Sequence, residues 1–419
     1  MKFRWETEFK ETDIGEIPTD WERSEIGSFM AIKSGKRPKE IKVYGFYEVW
    51  GANGFMGYTD ATDYLENREI LITGRVGTLG NVYYIKKNSN VWLSDNVLIL
   101  YPNDHGINLK FVFYHLLTRK EDIISLDVGS TQPLITQNGL KNLIIPLPPL
   151  PEQSRIATVL SWFDDLIEVK KRQNEILERT AMAIFKSWFI DFEPFRDGEF
   201  VYSEELGKEI PKGWEVKKIG ELAELTNGIS YKGDEKYEEP IDDGMIFITL
   251  NNILRGGGFK TEYSWIKSER IKEHQTLNEE DLIIANTDMT QEAKVIGSPA
   301  IVVFPSDYKG KGVYSHHITK ITPEKGELKF FLYSYLKITQ NENATFSTGT
   351  NVLGLDIENF KRNKIVILPP PHILQSFHSL VEPLFQKIIL NQKQIMTLLK
   401  IRDTLLPLLI FGKLRAEEV

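Results

Sequence analysis

Between residues 152 and 193, apolar side chains recur at alternating spacings of four and three: Ile156, Leu160, Phe163 and Ile167, then Leu177, Ala181, Ile184 and Trp188. That rhythm predicts one long helix with a coiled-coil seam, interrupted midway by Lys170 and Asn174. A second seam in the same phase lies 221 residues further on: Phe377, Val381, Leu384, Ile388, Asn391, Ile395, Leu398, Arg402, Leu405 and Leu409. Each follows a proline-rich strand exit, IPLPPLPEQ at 145–153 and ILPPPHILQ at 367–375. A single amphipathic stripe is ordinary core packing. Two in-phase copies behind the same exit predict two long helices that pair.

The duplication extends beyond the helices. Glu16-Ile17-Pro18, Trp21-Glu22 and Ile26-Gly27 recur, 193 residues later, as Glu209-Ile210-Pro211, Trp214-Glu215 and Ile219-Gly220, and Gly35 matches Gly228 at the same offset. Further along, Ile70-Leu71-Ile72 parallels Leu282-Ile283-Ile284, and Leu93-Ser94-Asp95-Asn96 parallels Tyr314-Ser315-His316-His317. Ser130-Thr131-Gln132-Pro133-Leu134 parallels Gly349-Thr350-Asn351-Val352-Leu353. The order is therefore domain, helix, domain, helix, with boundaries at 1–151, 152–196, 197–371 and 372–419.

Within the domains, β-rich runs at 82–85, 97–101, 245–250 and 300–304 alternate with turn residues, and short helices are expected at 109–119 and 329–337. The fold class is α+β: two similar mixed α/β domains separated by two long helices that pair as an antiparallel coiled coil, related by a pseudo-two-fold axis. A helix of about forty residues spans roughly 60 Å. Two similar domains on such a spacer suit a bipartite target, of which DNA half-sites are the obvious case.

Composition narrows the classes. With no cysteine, disulfides, thiol catalysis and Cys-ligated zinc are excluded. The charged start and the lack of a long apolar run point to a soluble, cytoplasmic protein without a membrane partner. The net charge of −8 is distributed as −2, −1, −7 and +2 over the four segments, so DNA contact has to come from local patches.

Three loops per domain carry candidate chemistry. Around Gly35 the basic residues Lys33, Lys36, Arg37, Lys39 and Lys42 cluster, suited to phosphates; the matching turn at Asn227-Gly228 lacks them. Gly74 to Gly80 reads as a hairpin, with Arg75 at its tip suited to guanine through a bidentate contact and Thr73 and Thr78 beside it. It lacks the Gly-Lys-Ser/Thr ending of a nucleotide loop. In the second copy Asn286, Thr287, Thr290, Gln291 and Lys294 occupy this position, and Asn and Gln suit adenine edges. The third loop offers Ser130, Thr131 and Gln132 in one copy and Thr348, Thr350 and Asn351 in the other, for phosphate or base contact. Each of these loops also has a plain reading as polar turn chemistry. Trp50, Phe55 and Tyr58 offer an interface reading, with core as the default for such aromatics. His316 and His317, adjacent on a strand, point apart and do not form a metal pair. There is no methyltransferase Asn/Asp-Pro-Pro-aromatic loop, Walker loop, nuclease cluster or Ser/His/Asp framework, so no catalytic residue and no cofactor is assigned to this chain.

These residues resemble the specificity subunits of type I restriction–modification systems. The likeness rests on the PLPPLPEQ exit with Arg155-Ile156-Ala157, on Lys186-Ser187-Trp188-Phe189-Ile190-Asp191-Phe192, and on Ile-Pro-x-x-Trp at Ile17 and Ile210. Leu405-Leu406-Pro407 with Gly412-Lys413-Leu414 is similar to that family's end, and Gly51-Ala52-Asn53-Gly54, Gly57-Tyr58 and Gly74-Arg75-Val76-Gly77 to a common first-domain pattern. One departure is Leu374-Gln375 where Glu-Gln is expected. The resemblance implies a non-catalytic subunit whose two target recognition domains read the halves of a split double-stranded DNA site. It further implies paired helices that dock two methyltransferase subunits using S-adenosylmethionine, and through them restriction/motor subunits using ATP with Mg2+. The rival reading, favoured by the acidic total, is a coiled-coil assembly adaptor that does not touch DNA.

Overall fold

The computed structural model describes all residues except 1, 104, 105, 291, 351, 418 and 419. The chain divides into two compact units, 1–166 with 399–419, and 167–398. No helix among the described residues is long and apolar enough to cross a membrane.

In the first unit a four-stranded antiparallel sheet has the order Met30–Ser34, Val97–Pro102, Ile70–Gly74, Val82–Ile85. Beside it, the hairpin Tyr47–Gly51 and Gly54–Thr59 pairs in parallel with Trp92–Leu93. In the second unit the corresponding sheet is Ala223–Asn227, Ile318–Pro323, Leu282–Ala285, Pro299–Ile301. A five-stranded sheet there includes the matching parallel pair, Met245–Ile248 with Gly312–Tyr314. The short helices fall at Leu109–Thr118 and Leu328–Ile338. Each unit closes its start against its strand exit in the same register: Ile144 opposite Glu25, and Ile365 opposite Lys218.

The register corrects two of the expected repeat pairings by one residue. Val97 lies opposite Gly74 and Ile318 opposite Ala285, so Leu71 corresponds to Leu282 rather than to Ile283. Near the third loop, the side chains of Thr136 and Asp356 both cap a helix by accepting from the N–H three residues on. Gly129 and Gly349, each packed against the carbonyl three residues on, therefore correspond, and so do Gln132 and Val352. A one-residue slip puts every strand side chain on the wrong face, which only strand pairing resolves.

Both long helices have 40 residues, Leu150–Phe189 and Pro371–Ile410, and their ends match at the expected offset. Proline suits these starts because the first helical N–H groups lack intrahelical partners anyway. The equal starts also correct the family comparison: Leu374 stands where Gln153 does, and Ile373 where Glu152 does. In the first unit Gln153 accepts from the Asn108 N–H (2.8 Å) and donates to the Pro148 carbonyl (2.9 Å), whereas Leu374 is buried among apolar neighbours. The first helix ends at 189 rather than 193, because Phe192 adopts a left-handed φ of 52° and turns its ring against Phe200 and Trp214.

The pairing of the helices is visible within each unit. In the first, Ile156 and Leu160 share a core with Leu406 and Leu409, with Phe163 and Leu405 packed against it. Asp164 accepts from Arg402 (2.6 Å) and from Tyr114 (2.6 Å). In the second, Asn174 accepts from Asn391 (2.9 Å), and Lys170 donates to Gln394 (2.5 Å). Ascending numbers on one helix meet descending numbers on the other, so the pairing is antiparallel. Ile167 and Ile395 are buried; Leu177 and Leu398 are half-buried. Phe377 and Val381 are buried as expected, but Ile184, Trp188, Leu384 and Ile388 are only partly so. The deepest positions lie one residue on, at Phe185, Phe189, Phe385 and Ile389. The cause is that each helix is covered on two sides, by its partner helix and by the domain, which widens the stripe beyond a two-helix seam.

Candidate nucleic-acid interface

In the first unit three loops meet at one edge of the sheets. Gly35 donates to Val97 (3.2 Å) and Lys36 to Leu93 (2.9 Å); Arg75 donates to Asn96 (2.8 Å) and accepts from Ile135 (2.9 Å), all through the backbone. The second unit repeats each bond. Gly228 donates to Ile318 (3.4 Å), Ile229 to Tyr314 (2.8 Å) and Asn286 to His317 (3.0 Å), and Asn286 accepts from Leu355 (2.8 Å). Glycine is required at the crossing. A Cβ on Gly35 would lie 2.1 Å from the Ser94 carbonyl oxygen, and one on Gly228 would lie 2.2 Å from that of Tyr314.

The side chains on this frame differ. In the first unit Lys36 pairs with Asp63 (3.1 Å) near the rings of Tyr64 and Trp92, and Lys33 lies 5.6 Å over Tyr101. Arg37 is exposed, with no side-chain partner among the described residues. Arg75 follows the strand directly rather than capping the hairpin tip; it is half-buried, its guanidinium 3.4 Å from the Asp95 carbonyl. Thr78, Ser130, Thr131 and Gln132 are exposed. The N–H groups of Leu134 and Gly129, both 2.8 Å from Asp127, hold its carboxyl below the usual carboxylate range and shape that turn.

In the second unit the structure reassigns several expected base readers. Asn286 is buried; its amide donates to the His316 carbonyl and the Thr319 hydroxyl, both at 3.0 Å, and accepts from Thr287 (2.9 Å). Thr287 is buried too and lies 3.0 Å from the His317 ring. These groups hold the loop and have no free edge for a base. Thr73 in the first unit is likewise fully buried, its hydroxyl without a partner among the described residues. Burial works against the ionised form of Asp288, yet the N–H groups of Val295 and Thr290, each at 2.8 Å, keep its pKa below the usual value. Burial and the neighbouring His316 push His317 down, towards the neutral ring.

What remains outward in the second unit is Thr290, whose hydroxyl donates to Asp288, Lys294 paired with Glu292 (2.6 Å), Thr348 and Thr350. Asn227 is also exposed, accepting from Thr319 (2.8 Å). Gln291 and Asn351 lie outside the described residues. Met289 and Val352, unforeseen from the sequence, are exposed between these polar groups. Phe55, expected in the core, is half exposed; Trp50 and Tyr58 are partly covered.

A reading edge built twice on one backbone frame, and carrying two sets of side chains, defines a two-domain recognition protein. Comparison with known proteins gives the family: the sequence profile described as the type I restriction modification DNA specificity domain matches residues 18–179 and 211–400. The chain belongs to that family, and it is a type I specificity subunit with two recognition domains. It is 38% identical to the type I restriction enzyme MjaIX specificity subunit of Methanocaldococcus jannaschii, over 100% of this chain and 99% of that protein. The HindI specificity subunit of Haemophilus influenzae is 24% identical over 78% of this chain and 82% of its own length. In fold the chain is similar to the crystal structure of a type I system S subunit from M. genitalium, with a TM-score of 0.56 and 20% identity over 93% of this chain and 96% of that one.

Proposed function

We propose that each unit lays its three-loop edge on one half of a bipartite double-stranded DNA target. The first half would be read with Arg75, Thr78 and Ser130 to Gln132, the second with Thr290, Lys294, Thr348 and Thr350. Lys33, Lys36 and Arg37 set the register on phosphates in the first half. Two methyltransferase subunits dock on the helices. Trp162 and Leu166 in the first unit, and Val169, Ile176, Leu380 and Leu390 in the second, are apolar helix positions left exposed for such contacts. Those partners supply methyl transfer with S-adenosylmethionine, and restriction/motor subunits add ATP- and Mg2+-dependent cleavage; this chain contributes recognition alone.

The single observation carrying this reading is the duplicated backbone bonding at the edge, with side chains free to differ. It favours DNA readers over an adaptor, which has no need for two matched edges. The test is methylation mapping of DNA treated with the assembled enzyme. Arg75→Ala should relax one half of the target by about 1–3 kcal/mol per contacted base and leave the other half unchanged. A variant whose target is unaltered, or altered in both halves, contradicts the assignment.

A further inference from the structure

The most exposed apolar side chains of the first unit lie together. Val43, Tyr44 and Phe46 are 77, 84 and 85% exposed, and Ile41, Phe55 and Met56 are also uncovered. This is not a slack loop. Lys42 and Tyr58 exchange backbone hydrogen bonds (2.8 and 2.9 Å), and the Phe46 N–H donates to Asp60 (3.1 Å). The Lys42 ammonium pairs with Asp60 (2.8 Å) and Glu40 (2.9 Å). The loop can lie this close to the strand because Gly57, at φ 141°, has no side chain: a Cβ there would be 2.7 Å from Ile41 and from the Lys42 carbonyl. The backbone is therefore pinned while its rings are presented to solvent. Rings held out in water carry a hydrophobic cost that only a partner removes.

Position and charge indicate the partner. The strand beside the loop begins at the hairpin turn where the Ala52 N–H donates to Asn96 (3.2 Å), and Asn96 is the residue whose carbonyl holds Arg75. The chain also enters the aromatic loop shortly after Lys36, whose N–H bonds Leu93 at the edge. Exposed Arg37 and Lys39 precede it and Lys42 lies within it, Lys39 facing Asp63 at 3.9 Å, so a basic run leads directly into the two rings. Cations followed by exposed rings suit a nucleic-acid surface, where cations track phosphates and rings meet base faces.

We propose, resting on the DNA-recognition reading above, that Tyr44 and Phe46 form an apolar wedge that packs against base faces of the duplex and locally unstacks the half-site read by the first unit. The second unit holds no side chain as exposed as Tyr44 or Phe46 among its described large apolar residues, so the unstacking is confined to one half. The wedge makes the first half-site sensitive to the deformability of its base steps at positions no side chain hydrogen-bonds.

The test uses the chain assembled with its methyltransferase subunits and a duplex carrying the mapped target, with 2-aminopurine placed in one half at a time and away from the methylated base, which the methyltransferases themselves flip. Binding of the unaltered protein should raise fluorescence in one half only. The double variant Y44A/F46A should abolish that rise and weaken binding about tenfold or more, with its melting temperature unchanged because both rings are exposed. Phe46→Leu, which keeps apolar volume, should retain most of the affinity. The wedge is overturned if the unaltered protein gives no rise, or if the double variant binds and unstacks as before. It is equally overturned if the double variant instead loses its methyltransferase subunits, which would make the loop a protein-docking surface. Failure of the unaltered assembly to bind the target at all would refute the DNA reading itself, a result distinct from these.

Discussion

Arg415 offers the sharpest test of what holds the first unit together. It sits on the strand Leu414–Glu417, which pairs antiparallel with Lys2–Trp5 and so joins the two ends of the chain. Its guanidinium donates to Glu6, to both oxygens of Asp20 (3.0 and 2.8 Å) and to Glu152, and lies 5.7 Å from the Trp21 ring. The side chains of Glu6 and Glu152 are only 6 and 4% exposed. Burial opposes ionisation of Glu6, but the N–H groups of Thr7 and Glu8 and the Arg415 guanidinium outweigh it and hold its pKa at about 2, against the usual 4.5. In Arg415→Ala, Glu6 keeps those N–H groups while Glu152, among the described residues, retains only the Trp21 indole N–H (3.1 Å) as a side-chain partner. Stranding a buried carboxylate costs about 3–5 kcal/mol, and Asp20, being half exposed, adds little. For a unit of this size that is a fall in Tm of roughly 6–20 °C. The pH dependence adds a signature. With its folded pKa below the unfolded one, Glu6 stabilises the unaltered protein fully above about pH 4.5, and that contribution fades as the pH falls toward about 2. A buried carboxylate without its cation favours the neutral form, so the variant should gain stability between about pH 7 and 5, where the unaltered protein does not. Scanning calorimetry across that range, with Arg415→Ala/Glu152→Gln as the rescue, decides the matter. A variant melting within about 2 °C of the parent, or a double variant no better than the single one, would refute the reasoning.

Gly35→Ala and Gly228→Ala should each destabilise their own unit by about 1–3 kcal/mol and impair target binding, since each Cβ meets a carbonyl oxygen that cannot yield; calorimetry and gel-shift titration check this. Asn286→Ala should lower stability by about 1–3 kcal/mol, because it strands partners inside the loop. Any change of methylation specificity in that variant without loss of stability would show the amide reading a base after all. Asn391→Asp should destabilise the second unit by about 3 kcal/mol or more at neutral pH, placing a charge at a fully buried seam position whose neighbours are amides. The loss should shrink in acid, as chemical denaturation at two pH values would show.

The frame was legible and much of the reading surface was not, for a physical reason. Helix period, proline exits and the Gly35–Gly228 match are properties of backbone and burial, and these repeat. The antiparallel pairing follows from the order of the pieces, because a parallel pair would force residues 197–371 to bridge the whole length of a helix. Yet strand register slipped by one residue at Leu71–Leu282, because a continuous apolar run such as Ile70-Leu71-Ile72 carries no alternation to fix its face. Asn286 was misjudged because an amide that reads adenine and an amide that caps a turn look alike in sequence; only the 3.0 Å contacts to His316 and Thr319 separate them. Phe55 was misjudged because aromatic residues default to the core. The Arg37-Pro38-Lys39 run followed by Tyr44 and Phe46 is the sequence feature that corresponds to the proposed wedge.

The corrected register also locates where the two copies diverge. The offset between corresponding residues is 193 at Met30 and Ala223, 198 at Val49 and Phe247, 211 at Gly74 and Ala285, and 221 at Val97 and Ile318. Every length change before the third loop falls in a segment between strands, and none falls inside a strand of the four-stranded sheet. Such segments lengthen at small entropic cost, because closing a longer loop adds only about 0.6 kcal/mol per doubling. The bonds that Arg75 and Asn286 make to the edge through N–H and carbonyl are backbone bonds, so at Arg75 the side chain can change without a change in how the edge is built. Buried Asn286 marks the limit of that freedom: there the loop turns its side chain inward to hold itself, and the neighbours that still face out are Thr290 and Lys294.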